Sequence, residues 1–165
     1  MIVGNGSVTI GSLQNQSTSL SLMIRIQLKK AQQMITYTNQ APLTAIALAK
    51  LFTSSGIHRP TTDLPRLQQM LDHADSLWTA WDGSQLVGVA RSLTDFSYAC
   101  YLSDLAVAKA YQHQGIGREL VNHLKTEIGP QVSLVLLAAP TAMTYYPKLR
   151  FEHIDNAFLR RRDPF

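Results

Sequence analysis

Tyr101-Leu-Ser-Asp-Leu-Ala-Val107, Ala108-Lys-Ala-Tyr111 and Gln112-His-Gln-Gly-Ile-Gly-Arg118 form the stretch on which the reading of the whole chain turns. Its first part reads as a strand. Its last part opens a helix near Gly115, because Ile116, Leu120, Val121, Leu124 and Ile128 recur on one helical stripe. A glycine-containing turn therefore lies between a strand and a helix N-terminus. The first N–H groups of a helix have no intrahelical partner, and the macrodipole adds positive potential at that end. Gly115 and Gly117 would let a phosphate approach this backbone closely. Neither G-x-x-x-x-G-K-[ST] nor G-x-G-x-x-G occurs in the chain, which excludes the common nucleotide-binding loops.

Upstream, the chain alternates like a sheet protein. Trp78–Trp81, the turn signal Asp82-Gly83 and Gln85–Leu93 read as a hairpin, and Thr94-Asp95 turns into a third strand, Tyr98–Val107. Before them, Pro42 opens a helical stretch ending near Gly56. A loop Gly56–Pro60 follows, then a second helix from Asp63, as N-cap, to Leu71. Ile24–Leu28 and Met34–Thr38 both alternate, so one or both are strands. Downstream, Gly129-Pro130 stops the helix, and the apolar run Val132–Ala138 reads as a strand covered on both faces. A short helix over Thr141–Tyr146 and two closing strands, Phe151–Ile154 and Ala157–Arg161, complete the pattern. The fold class is α/β or α+β: a mixed, mostly antiparallel central sheet flanked by helices.

A chain of 165 residues suits a single folded domain, here Ile24 to Phe165. Met1–Met23 carries no charged side chain and no sustained apolar stretch, so it reads as an extension rather than a signal peptide, with Met23 an alternative start. No run of about 20 apolar residues is available to span a bilayer. The single cysteine, Cys100, excludes an internal disulfide; it reads as a small buried hydrophobe and fits a reducing, cytoplasmic compartment. The formal net charge is +4, and Arg160, Arg161 and Arg162 carry three of those charges. The remaining chain is close to neutral, which argues against a broad nucleic-acid surface. The histidines show no H-x-H or H-E-x-x-H spacing, so no metal site is expected, and the absence of G-x-S-x-G removes the usual serine hydrolase.

Gln112-x-x-Gly-x-Gly after a Leu-Ala-Val strand, followed by Tyr145-Tyr-Pro-Lys-Leu-Arg-Phe151, resembles the two signatures of the GNAT superfamily of N-acetyltransferases. The resemblance covers Thr36 to Arg162. It implies a GNAT-like acyltransferase fold and acetyl-CoA as the acetyl donor. By the same resemblance, Leu105 and Val107 offer backbone groups to the acetyl and pantetheine portions. Gln112, His113, Gln114, Gly115, Ile116, Gly117 and Arg118 wrap the pyrophosphate. Tyr146 protonates the departing thiolate, a role suited to a phenol within hydrogen-bond reach, and its neighbour Tyr145 is structural. Arg150 stands where the family has glycine, and Ala139 where many members carry asparagine.

The implied reaction is transfer of acetyl to a primary amine, on a small molecule or a peptide, by direct attack. The alternative is a non-catalytic acyl-CoA-binding or regulatory module on the same fold. No general base stands out: the strand position that carries a glutamate in some members falls near Tyr101, leaving Asp104, Asp95 or water. Acceptor selection falls to Gly56–Leu71 and Thr94–Tyr101, where His58, Arg59, Phe96 and Tyr98 lie among acids. The oligomeric state is left open, a homodimer being one option.

Overall fold

The computed structural model describes residues 34–163, so the extension Met1–Met23 and the alternating segment Ile24–Leu28 lie outside the described residues. The described residues from Ile35 onward belong to one compact unit. Strands β1 (Ile35–Thr38), β2 (Ser76–Asp82), β3 (Gln85–Thr94), β4 (Ala99–Val107) and β5 (Ser133–Val135) lie side by side in chain order. The first four pair antiparallel; β5 joins β4 in parallel. A parallel neighbour requires a crossover, and helix α3 (Ile116–Ile128) supplies it. Helices α1 (Ala45–Ser55) and α2 (Leu64–Asp72) precede β2.

Each face of the sheet has its own apolar layer. Leu120, Leu124 and Ile128 of α3 pack with Ala80, Val87, Ala90, Cys100 and Leu102. On the other face Leu48, Leu51 and Phe52 of α1 and Leu67 of α2 pack with Val89 and Ala106. Gly88 lets α3 sit close to β3: a Cβ there would lie 3.0 Å from Leu120 Cδ1 and 3.2 Å from Ile116 Cγ2. Cys100 is buried in the α3 layer, as a small hydrophobe would be. Local signals set the helix ends. Thr44 caps α1, its hydroxyl accepting from Ala47 N, so α1 begins three residues after Pro42. Asp63 caps α2 by accepting from Arg66 N, as the sequence predicts.

One irregularity organises the site. Arg91 pairs with Asp104 and Ser92 with Leu102, which leaves Ser103 as an extra residue in β4. A bulge bends its strand and reverses the side-chain alternation. Before it, Cys100 and Leu102 face the α3 layer; after it, Ala106 faces α1 and α2. The pairing of β4 with β5 stops at Tyr101↔Val135, while β4 continues to Val107. The two strands therefore part just before the bulge, leaving a wedge along one edge of β4.

Three expectations about the C-terminal third are corrected. β5 spans three residues rather than Val132–Ala138, and it is not covered on both faces, since Ser133, Val135 and Leu137 are exposed. The apolar run hides that alternation. Thr141–Tyr146 does not form an α-helix. Pro140–Ala142 and Tyr146–Leu149 are 3₁₀ turns, closed by Ala142 N to Ala139 O and Arg150 N to Pro147 O. Proline lacks an N–H and disfavours α geometry in the residue before it, so Pro140 and Pro147 limit this segment to single turns. Phe151–Ile154 and Ala157–Arg161 are not strands, and Glu152 to Asp163 are exposed throughout. Apart from Phe151, which packs against the α3 layer, their apolar residues have no buried face toward which an alternation could point.

Candidate functional site

The wedge ends, at Val107, against the N-terminus of α3. Gly115 caps that helix in the left-handed conformation, φ +87°, with no side-chain cap and nothing within 4 Å of where its Cβ would be. His113 is also left-handed, φ +62°. The first turn of α3, with the N–H groups of Ile116, Gly117 and Arg118, is thus open at Gly115 and bordered by Tyr145 at Gly117. Ile116 is buried in the α3 layer and anchors the helix; Gln114 and Arg118 are exposed. The amide of Gln112 is engaged within the protein, its Nε2 donating to Ser55 O at 3.2 Å and Val107 O at 2.9 Å. Gln112 therefore ties the loop to the ends of α1 and β4, and its amide N–H donors are spent within the protein. Leu105 and Val107 turn their side chains to the α3 layer, with their backbone on the edge of β4 that β5 has left.

The two tyrosines run along this edge. Tyr145 reaches the α3 N-terminus: a Cβ on Gly117 would lie 2.5 Å from Tyr145 Oη and 3.7 Å from Val107 Cγ2. Burial raises the Tyr145 phenol above its usual 10.0, and the Arg118 charge opposes the rise. The Tyr146 ring stands edge-on to Tyr145 and to Phe151, with centroids 5.5 and 5.6 Å away. Burial raises its pKa as well, Tyr145 adds to the rise, and the Arg59 charge lowers it. Tyr145 thus marks the helix end of the wedge, and Tyr146 stands next to it, between Tyr145 and Phe151. The sequence assigns Tyr145 to packing; nothing in it reveals the contact with Gly117.

Arg59 reaches the wedge from the loop between α1 and α2. Its Nε donates to Asp104 Oδ1 at 2.5 Å, Nη2 to Ser103 O at 2.8 Å and Nη1 to His58 O at 2.8 Å. Arg91 Nε takes the other oxygen of Asp104, at 2.5 Å. Asp104 is wholly buried with both oxygens engaged, so it is not presented to an incoming amine as a base. Asp95 lies in the β3–β4 turn, at the opposite end of β4 from Val107. Its Oδ1 accepts from the N–H groups of Tyr98, Ser97 and Ala99, which hold its carboxyl below the ordinary range. A carboxylate stabilised in that way is a weak base. Neither carboxylate that the sequence offers as a general base is therefore placed to act as one. The link between Arg59 and Asp104 spans 45 residues, and no local spacing announces it.

Comparisons with known proteins bear on the family and the fold. The family model for an acetyltransferase (GNAT) domain matches residues 48–162. A structure from methicillin-resistant Staphylococcus aureus, of a protein of unknown function described as a probable acetyltransferase, aligns over 80% of this chain and 100% of its own. Its identity is 23% and its TM-score 0.69. A GNAT-family acetyltransferase from Streptococcus pneumoniae aligns over 78% of this chain and 100% of its own, with 25% identity and a TM-score of 0.61. The structure of AAC(6′)-Iy with the bisubstrate analogue CoA-S-monomethyl-acetylneamine has a TM-score of 0.60 at 14% identity, covering 79% of this chain and 99% of that one. No curated protein matches the sequence.

Proposed function

Because the chain belongs to the GNAT acetyltransferase family, we propose that it transfers acetyl from acetyl-CoA to a primary amine by direct attack. The observation that carries this reading is the wedge between β4 and β5, with a helix N-terminus at its end and Tyr145 and Tyr146 packed together beside that end. The cradle at Gly115 fits a pyrophosphate, since the cap is open and the first-turn N–H groups face it. From Val107 back to Ser103 is four residues of extended chain, about 13 Å, along which β4 offers backbone groups to an extended thioester arm.

Acetyl-CoA supplies an acyl group already activated as a thioester. The chain's residues do the rest by holding and by moving protons. The N–H groups of Ile116, Gly117 and Arg118 hold the phosphates, and Gln112 fixes the loop that presents them. The amine nitrogen forms a bond to the acetyl carbon as the carbon–sulfur bond breaks. Water takes the amine's proton, Tyr146 Oη gives its proton to the leaving sulfur, and solvent restores the phenol. Burial keeps that phenol protonated at neutral pH, in the state a donor requires. The test is thiol release from acetyl-CoA across amines, polyamines, amino acids and peptides, with CoA binding followed in parallel by calorimetry. Turnover with one acceptor class supports the proposal. CoA binding without turnover of any acceptor overturns it in favour of a non-catalytic acyl-CoA-binding module.

A further inference from the structure

The Arg59 end of the wedge carries a charge that donor binding does not use. Asp104 is shared by two guanidinium groups, Arg59 and Arg91, so the cluster holds one uncompensated positive charge. Among the described residues no carboxylate other than Asp104 forms an ion pair with Arg59 or Arg91, and Asp63, on the segment that follows Arg59, is paired with Arg66. Arg91 is almost fully buried and spends its remaining donors on Met70 O and Ser103 Oγ. The surplus charge therefore reaches solvent through Arg59, whose side chain is 26% exposed. Three of the five N–H donors of Arg59 are engaged. Its fork is already fixed by three partners, so holding a planar anion on its outer N–H groups would require little further ordering. Its place is also defined. It binds the carbonyl of Ser103, the bulge residue of β4, just beyond the point where β5 leaves that strand.

We propose that Arg59 makes this an acceptor site for amines that carry a carboxylate close to the amino group, and that it binds that carboxylate. The inference rests on the acetyl-transfer reading above and names its acceptor class. A polyamine would bring further positive charge to a cluster that already has an excess, whereas a carboxylate completes it through charge-assisted hydrogen bonds. Bound there, the carboxylate lies beside the bulge of β4, and an amine one or two bonds away is held at the strand edge that β5 has left.

Matched acceptors test this: phenylalanine, phenylalaninamide and phenethylamine; lysine and cadaverine; histidine and histamine. The carboxylate-bearing member should have the higher kcat/KM by at least about tenfold, the worth of one charge-assisted hydrogen bond, through a lower KM. Arg59→Gln leaves Asp104 paired with Arg91 and should bring the ratio toward one by raising KM for the amino acid. Arg59→Lys, which keeps the charge and loses the fork, should fall between. Circular dichroism checks that each variant is folded; if Arg59→Gln is not, the wild-type ratio and Arg59→Lys decide. A wild type that prefers the carboxylate-free amine, or a preference that survives Arg59→Gln, overturns the proposal. Should nothing be turned over, the acetyl-transfer reading fails. Calorimetry of phenylalanine against phenethylamine on the CoA-loaded protein then decides Arg59 separately.

Discussion

Gly117 and Tyr145 allow the sharpest test of the site's geometry. A Cβ on Gly117 would lie 2.5 Å from Tyr145 Oη but 3.6 Å from Tyr145 Cζ and 3.7 Å from Val107 Cγ2. Only the phenolic oxygen clashes; the other two distances are ordinary contacts. Gly117→Ala should therefore force Tyr145 to shift, at about 1–3 kcal/mol, the usual range for overpacking. Alanine's better helix propensity, up to about 1 kcal/mol, offsets part of that. In a Tyr145→Phe background the clash disappears, and the same Gly117→Ala change should be neutral or stabilising by up to about 1 kcal/mol. The expected coupling is roughly 1–3 kcal/mol, read from urea midpoints at unchanged m-value. Two changes that add within about 0.5 kcal/mol would refute the seating of Tyr145 against the helix. A larger side chain separates the two roles of this glycine. Gly117→Val combined with Tyr145→Phe should still weaken CoA binding in calorimetry, because its branches fill the phosphate cradle whether or not the phenol is there. Full CoA affinity in that double variant would remove the pyrophosphate from the α3 N-terminus.

Three further outcomes are expected. Tyr146→Phe should keep the fold and CoA affinity and lower kcat by about 10²–10⁴-fold. Because burial and Tyr145 raise this phenol above 10.0, it stays protonated below that value, so the deficit should be constant from about pH 7 to 9; a limb in that window that vanishes in the variant counts against the assignment. Arg150 holds φ +66° at an exposed turn, so Arg150→Gly should stabilise by up to about 1 kcal/mol, seen as a higher melting temperature; a lower one would show that the arginine has a use the turn does not reveal. The uncharged segment Met1–Met23 should be dispensable for CoA binding, and a chain beginning at Met23 that stays folded but loses affinity would contradict that.

The parts of the fold that local chemistry dictates were legible in the sequence. Asp82-Gly83 marks a hairpin because Gly83 takes φ +57° between paired Asp82 and Gln85. The α3 stripe marks a helix because Leu120, Leu124 and Ile128 must all meet the sheet. Asp63 and Gly56 mark helix ends for reasons carried by single residues, a capping carboxylate in one and a left-handed backbone in the other. The C-terminal third was misread because its determinants are not local. Val132–Ala138 is apolar enough for a buried strand, yet only three of its residues find a ladder on β4. Ile154, Phe158 and Leu159 have the composition of a strand without a core to face. The family's glycine at the position of Arg150 also gains a physical meaning, since the turn there is left-handed. Within the site, the glycine cradle could be read from spacing, but the pairing of Arg59 with Asp104 could not.

Ser103 connects these levels. An extra residue in β4 reverses which side chains face which layer. Without it, the side chain at 104 would point into the α3 layer, among Cys100, Leu102 and Leu124, where a carboxylate has no partner. With it, Asp104 turns toward α1 and α2, where Arg91 from the neighbouring strand and Arg59 from a distant loop can reach it. The bend also falls where β5 departs, so the strand edge that is freed and the charge cluster that flanks it have one local cause. The bulge is held on both sides, its carbonyl by Arg59 and its hydroxyl by Arg91. One consequence is that the wedge and the guanidinium pair stand or fall together. A change that lets residues 102–104 return to regular pairing would bury the Asp104 carboxylate against apolar side chains, at a cost no single contact in the wedge could offset.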